Sequence, residues 1–370
     1  MKPLLFKPLA LDQLELANKI CIAPMCQYAA NLEGEIQFWH EQQWASYALS
    51  GAGVCIVEAT AINPEGRISD ADLGLWNDSQ ALKMQAVLSK ISTISPMPFA
   101  IQLSHAGRKA SVEAPWKNQD SMTVDRYWQT VAPSNIPFLS NNDRMPSALG
   151  AEDIIKIKQN FIEAARRAVQ AGFRLIEVHA AHGYLLHQFL SPLSNIREDE
   201  YGGSLENRCR LTLEIIQEIK QVLPKGFPLG IRISATDWMK KNEGWDLESS
   251  IYLSAHLERL GIAYIHVSSG GLHRDQTIDV NPNYQVPFAQ AIKAKVNVPI
   301  IAVGLITEPT QAEDILQKDQ ADAIAIARAI QYNPRWPWYA AQVLGEEVAV
   351  ASQYLRCEPY GHRGRLFKPF

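Results

Sequence analysis

Cysteine is scarce in this sequence, and its spacing fits neither of its common structural uses. The 370 residues include five cysteines, an odd number at widely separated positions: Cys21, Cys26, Cys55, Cys209 and Cys357. Disulfide frameworks and structural zinc sites both need paired or closely spaced cysteines. Reduced thiols in a cytoplasmic protein are the simplest interpretation.

The chain also lacks an excess of charge of one sign and a long hydrophobic run. Lys and Arg number 35 against 39 Asp and Glu, so the formal net charge is −4. This balance gives no electrostatic reason to expect nucleic acid or an anionic membrane surface as a partner. No segment approaches a membrane span, and the first residues, MKPLLFKPLALDQL, have no apolar core of signal-peptide length. With 47% hydrophobic and 20% charged residues, we expect a globular cytoplasmic protein.

A glycine-rich dinucleotide-binding loop is missing as well. The nearest glycine cluster, Gly51-Ala52-Gly53, precedes an apolar segment instead of following one, and it lacks the third glycine. We therefore reject a Rossmann nucleotide-binding unit.

Eight short apolar segments are present, separated by helical patterns. The predicted strands cover residues 19–24, 54–58, 98–103, 174–178, 228–233, 264–267, 298–303 and 323–327. The predicted helices cover residues 38–50, 79–93, 151–171, 205–223, 247–260, 286–294 and 309–317. Continuously apolar strands are buried on both faces, as parallel strands are. Eight βα units predict an α/β fold, a single (β/α)8 TIM barrel, which needs roughly 250 residues.

Three segments exceed what such a barrel needs. Residues 1–18 are expected to close the bottom of the barrel, and residues 348–370 form a C-terminal tail. Residues 104–150 are too long for an ordinary connection, so they form either a lid or a disordered segment. Their aromatic residues, Trp116, Tyr127, Trp128 and Phe138, favour a lid. No domain boundary is visible, so we expect one domain over residues 1–370.

The residues that follow the fourth strand are the most unusual in the chain. His179, His182 and Tyr184 come together there, with small residues between the histidines and Gly183 before the tyrosine. Active sites of these barrels form at the carboxyl ends of the strands. Two imidazoles and a phenol at one point suit polarising an oxygen while delivering a proton nearby. Two alternatives stay open at this stage: a zinc half-site, as in a metal-dependent aldolase or hydrolase, and a pair of structural histidines.

Other strands end in residues that suit a bound phosphate and heterocycle. Gly304 follows the seventh strand and Arg328 the eighth, which are the places of the standard phosphate site of this fold. Gln102 and Arg232 lie within strands, where a buried amide and guanidinium need partners. A polar heterocycle across the barrel mouth would supply them.

Together these segments resemble the Old Yellow Enzyme family of FMN-dependent ene-reductases, in the bacterial branch that includes the xenobiotic reductases. The resemblance runs over nearly the full length, from about residue 6 to residue 356. The motifs that carry it are APMCQY (23–28), QLSHAGRKA (102–110), HAAHGYLLHQFLSP (179–192) and YGGSLENR (201–208).

The resemblance implies FMN as the cofactor and NADPH or NADH as the hydride donor. It implies that the flavin ring is lined by Ala23, Pro24, Met25, Cys26, Ala59 and Gln102. Within this set Cys26 would tune the redox potential, although residues alone also allow an ordinary buried thiol. Arg232 would lie beside the pyrimidine end of the ring, and the phosphate would be held by Gly304, Ala327 and Arg328. Ala327 stands where the family usually has glycine, so its Cβ narrows the phosphate loop.

The same resemblance implies reduction of an activated C=C bond. His179 and His182 would bind the carbonyl oxygen of a small-molecule enone, Tyr184 would donate the proton, and Tyr28 would help close the substrate side. Arg108 and Lys109 are plausible contacts for the nicotinamide phosphates. The segment 353–356 is similar to a tail that in relatives inserts an arginine across a dimer interface, so we expect Arg356 to reach a neighbouring subunit of a homodimer or homotetramer.

Overall fold

The structure, a computed structural model, describes residues 3–117, 126–138, 145–240 and 243–370. Its strands are β1 (Leu9–Leu11), β2 (Leu14–Leu16), β3 (Ile20–Ile22), β4 (Val54–Ala61), β5 (Phe99–Ser104), β6 (Val131–Ala132), β7 (Ser147–Ala148), β8 (Leu175–Ala180), β9 (Leu229–Ser234), β10 (Tyr264–Ser268), β11 (Ile300–Ala302), β12 (Ala323–Ile326), β13 (Val348–Val350) and β14 (Phe367–Pro369). Its helices are α1 (Phe38–Ala48), α2 (Asp78–Ser92), α3 (Ala151–Gln170), α4 (Leu185–Leu190), α5 (Leu205–Val222), α6 (Leu247–Arg259), α7 (Val286–Lys293), α8 (Pro309–Gln317), α9 (Arg328–Tyr332) and α10 (Trp336–Leu344).

Eight parallel strands close into a barrel, in the order β3-β4-β5-β8-β9-β10-β11-β12 and back to β3. These are the eight strands predicted from the apolar segments, so the predicted TIM barrel is confirmed. The seven predicted helices are also present, with ends that differ by two residues or fewer. In the part of the chain that the structure describes, no helix has the length and apolar character to cross a bilayer.

Successive side chains of each strand point alternately into the barrel and out toward the helices, which divides the core into an inner and an outer layer. On β8, for example, Leu175 packs inside the barrel, whereas Ile176 and Val178 pack outward against the helices. Leu11 and Leu16 of the β1–β2 hairpin belong to the inner cluster. The N–H of Gln13 donates to the carbonyl of Gly226, just before β9, at 3.2 Å. The hairpin therefore closes the amino end of the barrel, as predicted.

The fourth strand differs from its prediction. We expected it to end at Val178, but β8 extends to Ala180 and includes His179. The six residues of α4, LLHQFL, follow after a turn over residues 181–184 and are all buried. The pattern did not predict α4 because a short helix buried on every side has no polar face.

Residues 118–125 and 139–144 of the predicted lid lie outside the described residues. The described parts pack at the carboxyl end of the barrel. The indole of Trp128 donates to the carbonyl of Glu65 at 2.9 Å, and Trp116 meets the ring of Tyr28 edge-on, with ring centroids 5.4 Å apart. The described parts of the predicted lid are therefore positioned over the same end of the barrel as the candidate site.

The tail, which the sequence left unassigned beyond Arg356, contains a strand that pairs with its own beginning. β13 and β14 run parallel, and the carboxylate of Glu358 accepts backbone N–H groups of Leu366 and Phe367 at 2.9 and 2.8 Å. Trp338 of α10 packs against Phe367, with ring centroids 4.8 Å apart. Arg356 lies in this tail and is exposed.

Candidate active site

The predicted convergence of His179, His182 and Tyr184 is present in the structure. His179 lies in register with Arg232 of β9, so both face the barrel interior. Beyond the strand, His182 adopts φ +56° and Gly183 φ +74°, which turns the chain back over the mouth. The ring of His179 lies 5.2 Å from that of His182 and 5.1 Å from that of Tyr184.

Both histidines are neutral near pH 7, and two of their nitrogens face each other. Burial, reinforced by the positive charge of Arg232, holds the pKa of His179 and of His182 well below the ordinary value. A neutral imidazole carries one N–H. His179 Nε2 and His182 Nδ1 are 3.5 Å apart, so one oxygen atom beside them would be within reach of both.

The other nitrogen of His182 is held by Ser268. Ser268 Oγ lies 2.7 Å from His182 Nε2 and 3.2 Å from Gln285 Oε1. One hydroxyl proton serves only one of these acceptors, and Gln285 Oε1 already accepts a hydrogen bond from the Ser269 hydroxyl at 2.7 Å. The shorter distance favours donation to His182 Nε2, which leaves the N–H of His182 on Nδ1, facing His179.

Tyr184 is suited to be a proton source. Its pKa is raised well above the ordinary value, first by burial and then by the acidic groups of Cys26, Tyr28 and Asp72. The phenol therefore keeps its proton at neutral pH. Lys109 Nζ lies 5.2 Å from the centre of its ring.

A layer of buried polar side chains lies below the histidines. Glu177 accepts three hydrogen bonds, from Gln102 Nε2 at 2.7 Å, from the Tyr264 hydroxyl at 3.1 Å and from His266 Nδ1 at 3.0 Å. Burial would raise the pKa of Glu177, but His266, Arg232 and Gln102 outweigh burial and lower it. Gly230 lies between these groups, in register with both Glu177 and Tyr264. A Cβ there would come within 2.0 Å of the Tyr264 ring, so only glycine lets that ring reach across to β8.

Sequence reasoning identified Gln102 and Arg232 but missed Glu177, Tyr264 and His266. The signal was available, because a charged or polar residue at an inward position of a buried strand needs a partner. What the sequence did not provide was the register that brings these residues to one level.

Arg232 is still without a full set of partners. Its Nε is buried and has no hydrogen-bond partner among the residues that the structure describes. Burial lowers the pKa of Arg232, and the negative charge of Glu177 opposes that shift. His179 Nδ1 is likewise buried and unpaired within the described chain. Buried polar atoms without partners at the mouth of a barrel fit a polar ligand such as a flavin ring.

A β-bulge places Ala59 beside this layer. The pairing of β4 with β5 shifts between Val57 and Ala59, so Ala59 lies opposite Gln102 and Glu58 is left out of the ladder. Glu58 turns instead to His40 of α1, with Oε1 and Nε2 3.3 Å apart, and accepts the N–H of Gln27 at 3.2 Å. The bulge explains how Ala59 comes to be on the inner face.

The loop after β3 forms the opposite wall. Cys26 and Tyr28 are half-buried, and Tyr28 adopts φ +50°. Both pack with Tyr184 in a small apolar cluster at the mouth. Burial, with the nearby carboxylates of Asp72 and Glu58, raises the pKa of Cys26 well above the ordinary value, so its thiol stays protonated.

The predicted phosphate residues lie at the ends of β11 and β12. Gly304 adopts φ +125°, and a Cβ there would come within 2.7 Å of Gln285 Nε2. Ala327 follows β12 directly, with ψ −94°, and precedes α9. Arg328 is exposed, and within the described residues no acidic group lies in salt-bridge contact with it.

The structure does not favour the expected role of Arg108 and Lys109. Arg108 donates to the carbonyls of Leu272 at 3.0 Å and Ile136 at 3.2 Å. Lys109 Nζ donates to the carbonyls of His182 and Gly271 at 2.8 and 2.9 Å. The terminal nitrogens of Arg108 and two of the three Lys109 donors thus hold the loops of the mouth together, so these donors are not available to nicotinamide phosphates.

The fold is a (β/α)8 barrel whose mouth holds buried polar side chains, two facing imidazoles and a phenol. The chain belongs to the NADH:flavin oxidoreductase / NADH oxidase family, whose sequence model matches residues 4–347. An NADPH dehydrogenase of Bacillus licheniformis is 43% identical over 353 residues, which are 95% of this chain and 98% of that relative.

Solved structures with the same fold support this family assignment. Morphinone reductase superposes with a TM-score of 0.74 at 28% identity, covering 100% of this chain and 97% of that chain. An Old Yellow Enzyme homologue from Zymomonas mobilis superposes with a TM-score of 0.73 at 26% identity, covering 90% and 91%. The resemblance to Old Yellow Enzyme is thus confirmed. The protein is an FMN-dependent oxidoreductase with NADPH or NADH as hydride donor.

The metal-dependent aldolase or hydrolase is not favoured by this family membership. Over the described ranges, no group of three or more His, Cys, Asp and Glu residues is placed to hold a metal ion.

Proposed function

We propose that the protein reduces the activated C=C bond of an α,β-unsaturated carbonyl compound in two half-reactions. The observation that carries the proposal is the pair of facing nitrogens, His179 Nε2 and His182 Nδ1, 3.5 Å apart beside the ring of Tyr184. Two N–H groups on one carbonyl oxygen would draw electron density from the β-carbon. FMN, when bound, supplies the hydride for that carbon after receiving it from NADPH or NADH.

The protein's own residues then hold the oxygen and deliver the proton. His179 and His182 stay neutral because of burial, so they bind the developing negative charge as hydrogen-bond donors without losing a proton. Tyr184 keeps its phenol proton at neutral pH and gives it to the α-carbon. Tyr28 and the described parts of residues 104–150 close the substrate side and limit the access of water.

Residues of several strand ends would hold the cofactor. Arg232 offers its unpaired Nε to the pyrimidine end of the ring, where its positive charge would stabilise negative charge on the flavin. Gly304 and Arg328 would bind the phosphate through close backbone approach and a bidentate ion pair. The remaining ring contacts would be Ala23, Pro24, Met25, Cys26, Ala59 and Gln102, and Ala327 would donate its amide to the phosphate.

We also propose that the site is shared between subunits. Arg356 is exposed on the tail, and within the described residues no acidic group lies in salt-bridge contact with it. An arginine in this place would reach the substrate side of a neighbouring subunit, in a homodimer or a dimer of dimers with closed symmetry.

Anaerobic half-reaction kinetics test the proposed reaction. Reduction of the bound flavin by NADPH and its reoxidation by 2-cyclohexenone are followed separately in the parent protein and in Tyr184→Phe. Loss of the proton donor should slow reoxidation and leave reduction nearly unchanged. Equal damage to both steps would contradict the role assigned to Tyr184.

Phenol titration tests the histidine pair independently. A phenolate oxygen resembles the enolate oxygen formed in the reaction and needs the same two donors. The double variant His179→Ala/His182→Ala should retain FMN but lose phenol binding. Parent protein that holds FMN but does not reduce cyclohexenone would refute the proposed function.

A further inference from the structure

His187 and Asp237 form a fully buried cluster that the proposed mechanism does not use. Both side chains have no exposed surface, and His187 Nε2 lies 2.9 Å from Asp237 Oδ1. The contact is electrostatic, without the alignment of a full hydrogen bond. The other carboxylate oxygen of Asp237 accepts the hydroxyl of Ser191 at 2.6 Å and the N–H of Trp245 at 2.8 Å.

The second nitrogen of His187 points to the turn that carries the active groups. His187 Nδ1 accepts the backbone N–H of Gly183 at 2.9 Å. An accepting Nδ1 carries no proton, so the single proton of the neutral ring is on Nε2. The carboxylate of Asp237 favours this tautomer, because two lone pairs at 2.9 Å would repel each other. Asp237 therefore selects the tautomer that lets His187 bind Gly183.

The peptide group on the other side of Gly183 is held by the next residue of α4. Gln188 Nε2 donates to the carbonyl of Gly183 at 2.7 Å. The turn also packs closely, since a Cβ on Gly183 would come within 2.2 Å of the carbonyl oxygen of Gly271. Both peptide planes around Gly183 are thus fixed by side chains of one short helix.

We propose that His187 and Asp237 are positioning residues, which fix the distance between His182 and Tyr184 through the amide of Gly183. This inference rests on the proposed function, in which His182 binds the carbonyl oxygen and Tyr184 gives the proton. Gly183 is the only residue between them, so rotation of its peptide planes would move both groups relative to the substrate. Small displacements of this kind cost catalysis heavily, since about 1 Å of misplacement lowers a rate by as much as about a hundred-fold.

Asp237→Asn is the direct test because it changes the tautomer and little else. The oxygen of the new amide stays with Ser191 and Trp245, which donate to it, so its NH2 faces His187 Nε2. His187 must then carry its proton on Nδ1, where it opposes the N–H of Gly183. The same exchange beside a catalytic histidine is known to stabilise the wrong tautomer. Ser191→Ala is the matched control, because it removes a buried hydrogen bond to the same carboxylate and leaves the tautomer unchanged.

The first measurements need neither FMN nor substrate. Long-range 15N–1H correlation spectra should show the proton of His187 on Nε2 in the parent and in Ser191→Ala, and on Nδ1 in Asp237→Asn. Exchange of the Gly183 amide with solvent should be faster in Asp237→Asn alone. A parent ring protonated on Nδ1 would overturn the proposal, whatever the enzyme turns over.

The second measurements connect the tautomer with the site in the protein as purified with FMN. Asp237→Asn should weaken phenol binding and slow reoxidation by cyclohexenone about ten-fold or more, with unchanged FMN content. Ser191→Ala should lower the unfolding midpoint but leave both constants within about two-fold of the parent. Two results would show that the cluster is only structural. One is a loss of phenol affinity and reoxidation rate in Ser191→Ala as large as in Asp237→Asn. The other is an unchanged phenol affinity and reoxidation rate in Asp237→Asn despite its altered tautomer.

A second pair of variants applies if Asp237→Asn does not fold. His187→Asn keeps an oxygen acceptor near Gly183, whereas His187→Leu removes it. Phenol affinity and the reoxidation rate should be closer to the parent in His187→Asn than in His187→Leu. The reverse order would contradict the proposal. Failure of the proposed function has a different signature, because the parent itself would then neither bind phenol nor reduce the enone.

Discussion

Replacing Glu177 by leucine should destabilise the barrel strongly. In the parent protein, Gln102, Tyr264 and His266 donate to the carboxylate of Glu177 at 2.7, 3.1 and 3.0 Å. The change to leucine leaves these three buried donors without an acceptor. Each buried group without a partner costs about 1–3 kcal/mol. Removing a desolvated charge offsets part of this loss, so we expect a net decrease of about 3–5 kcal/mol in the free energy of unfolding.

Glu177→Gln is the matched control. Glutamine keeps the shape and one accepting oxygen, and the Tyr264 hydroxyl can reverse its role, so the loss should be about 1–2 kcal/mol. Urea denaturation at pH 7 measures both variants, and equal slopes would show that only the stability has changed. The FMN content should also fall in the leucine variant, because Gln102 loses the bond that orients it. A leucine variant within about 1 kcal/mol of the parent would refute the reasoning.

The pH dependence gives an independent check of the same group. The pKa of Glu177 is lower in the folded protein than in the unfolded chain. Its ionised form therefore stabilises the fold above the ordinary glutamate pKa of about 4.3 and loses that effect as the pH falls through the lowered value. The difference in stability between parent and Glu177→Leu should accordingly narrow below about pH 4. A difference that stays constant down to pH 3 would argue against an ionised Glu177.

Three further predictions concern other parts of the molecule. Arg328→Ala should lose a charge-assisted contact worth roughly 1.5–3 kcal/mol and weaken FMN binding by about ten-fold or more; equilibrium dialysis with unchanged affinity would contradict the phosphate assignment. Burial lowers the pKa of His105 to about 3, so acid should destabilise the parent from about pH 6.5 downward, because only the unfolded chain takes up that proton. His105→Asn keeps an acceptor for the N–H of Gly107. It should reduce the change of the free energy of unfolding with pH by up to about 1.4 kcal/mol per pH unit, measured by urea unfolding at several pH values. An unchanged pH dependence would refute this role of His105. Truncation before Gln353 should raise the KM for enone and spare bound FMN, and a fully active monomer would exclude the shared site.

The sequence by itself was sufficient for the barrel and for most of its mouth. Parallel strands buried on both faces appear as continuous apolar runs, and the eight runs here correspond to the eight barrel strands. Because the carboxyl ends of barrel strands meet at one mouth, His179, Tyr184 and Arg232 could be placed together from strand positions alone. Local patterns show which segments form buried strands and where each strand ends, because both depend on residues that are close together in the sequence.

Only the tertiary structure decided which side chains touch. Glu177 meets Gln102 and His266 across 75 and 89 positions of the chain, and its partners depend on the register between strands. The bulge that turns Ala59 inward is likewise a property of the pairing of β4 with β5. Lys109 looked free in the sequence, but two of its three donors bind loop carbonyls that come near only when the barrel closes. Register and closure are set by the packing of the whole barrel, and for that reason no local pattern contains them.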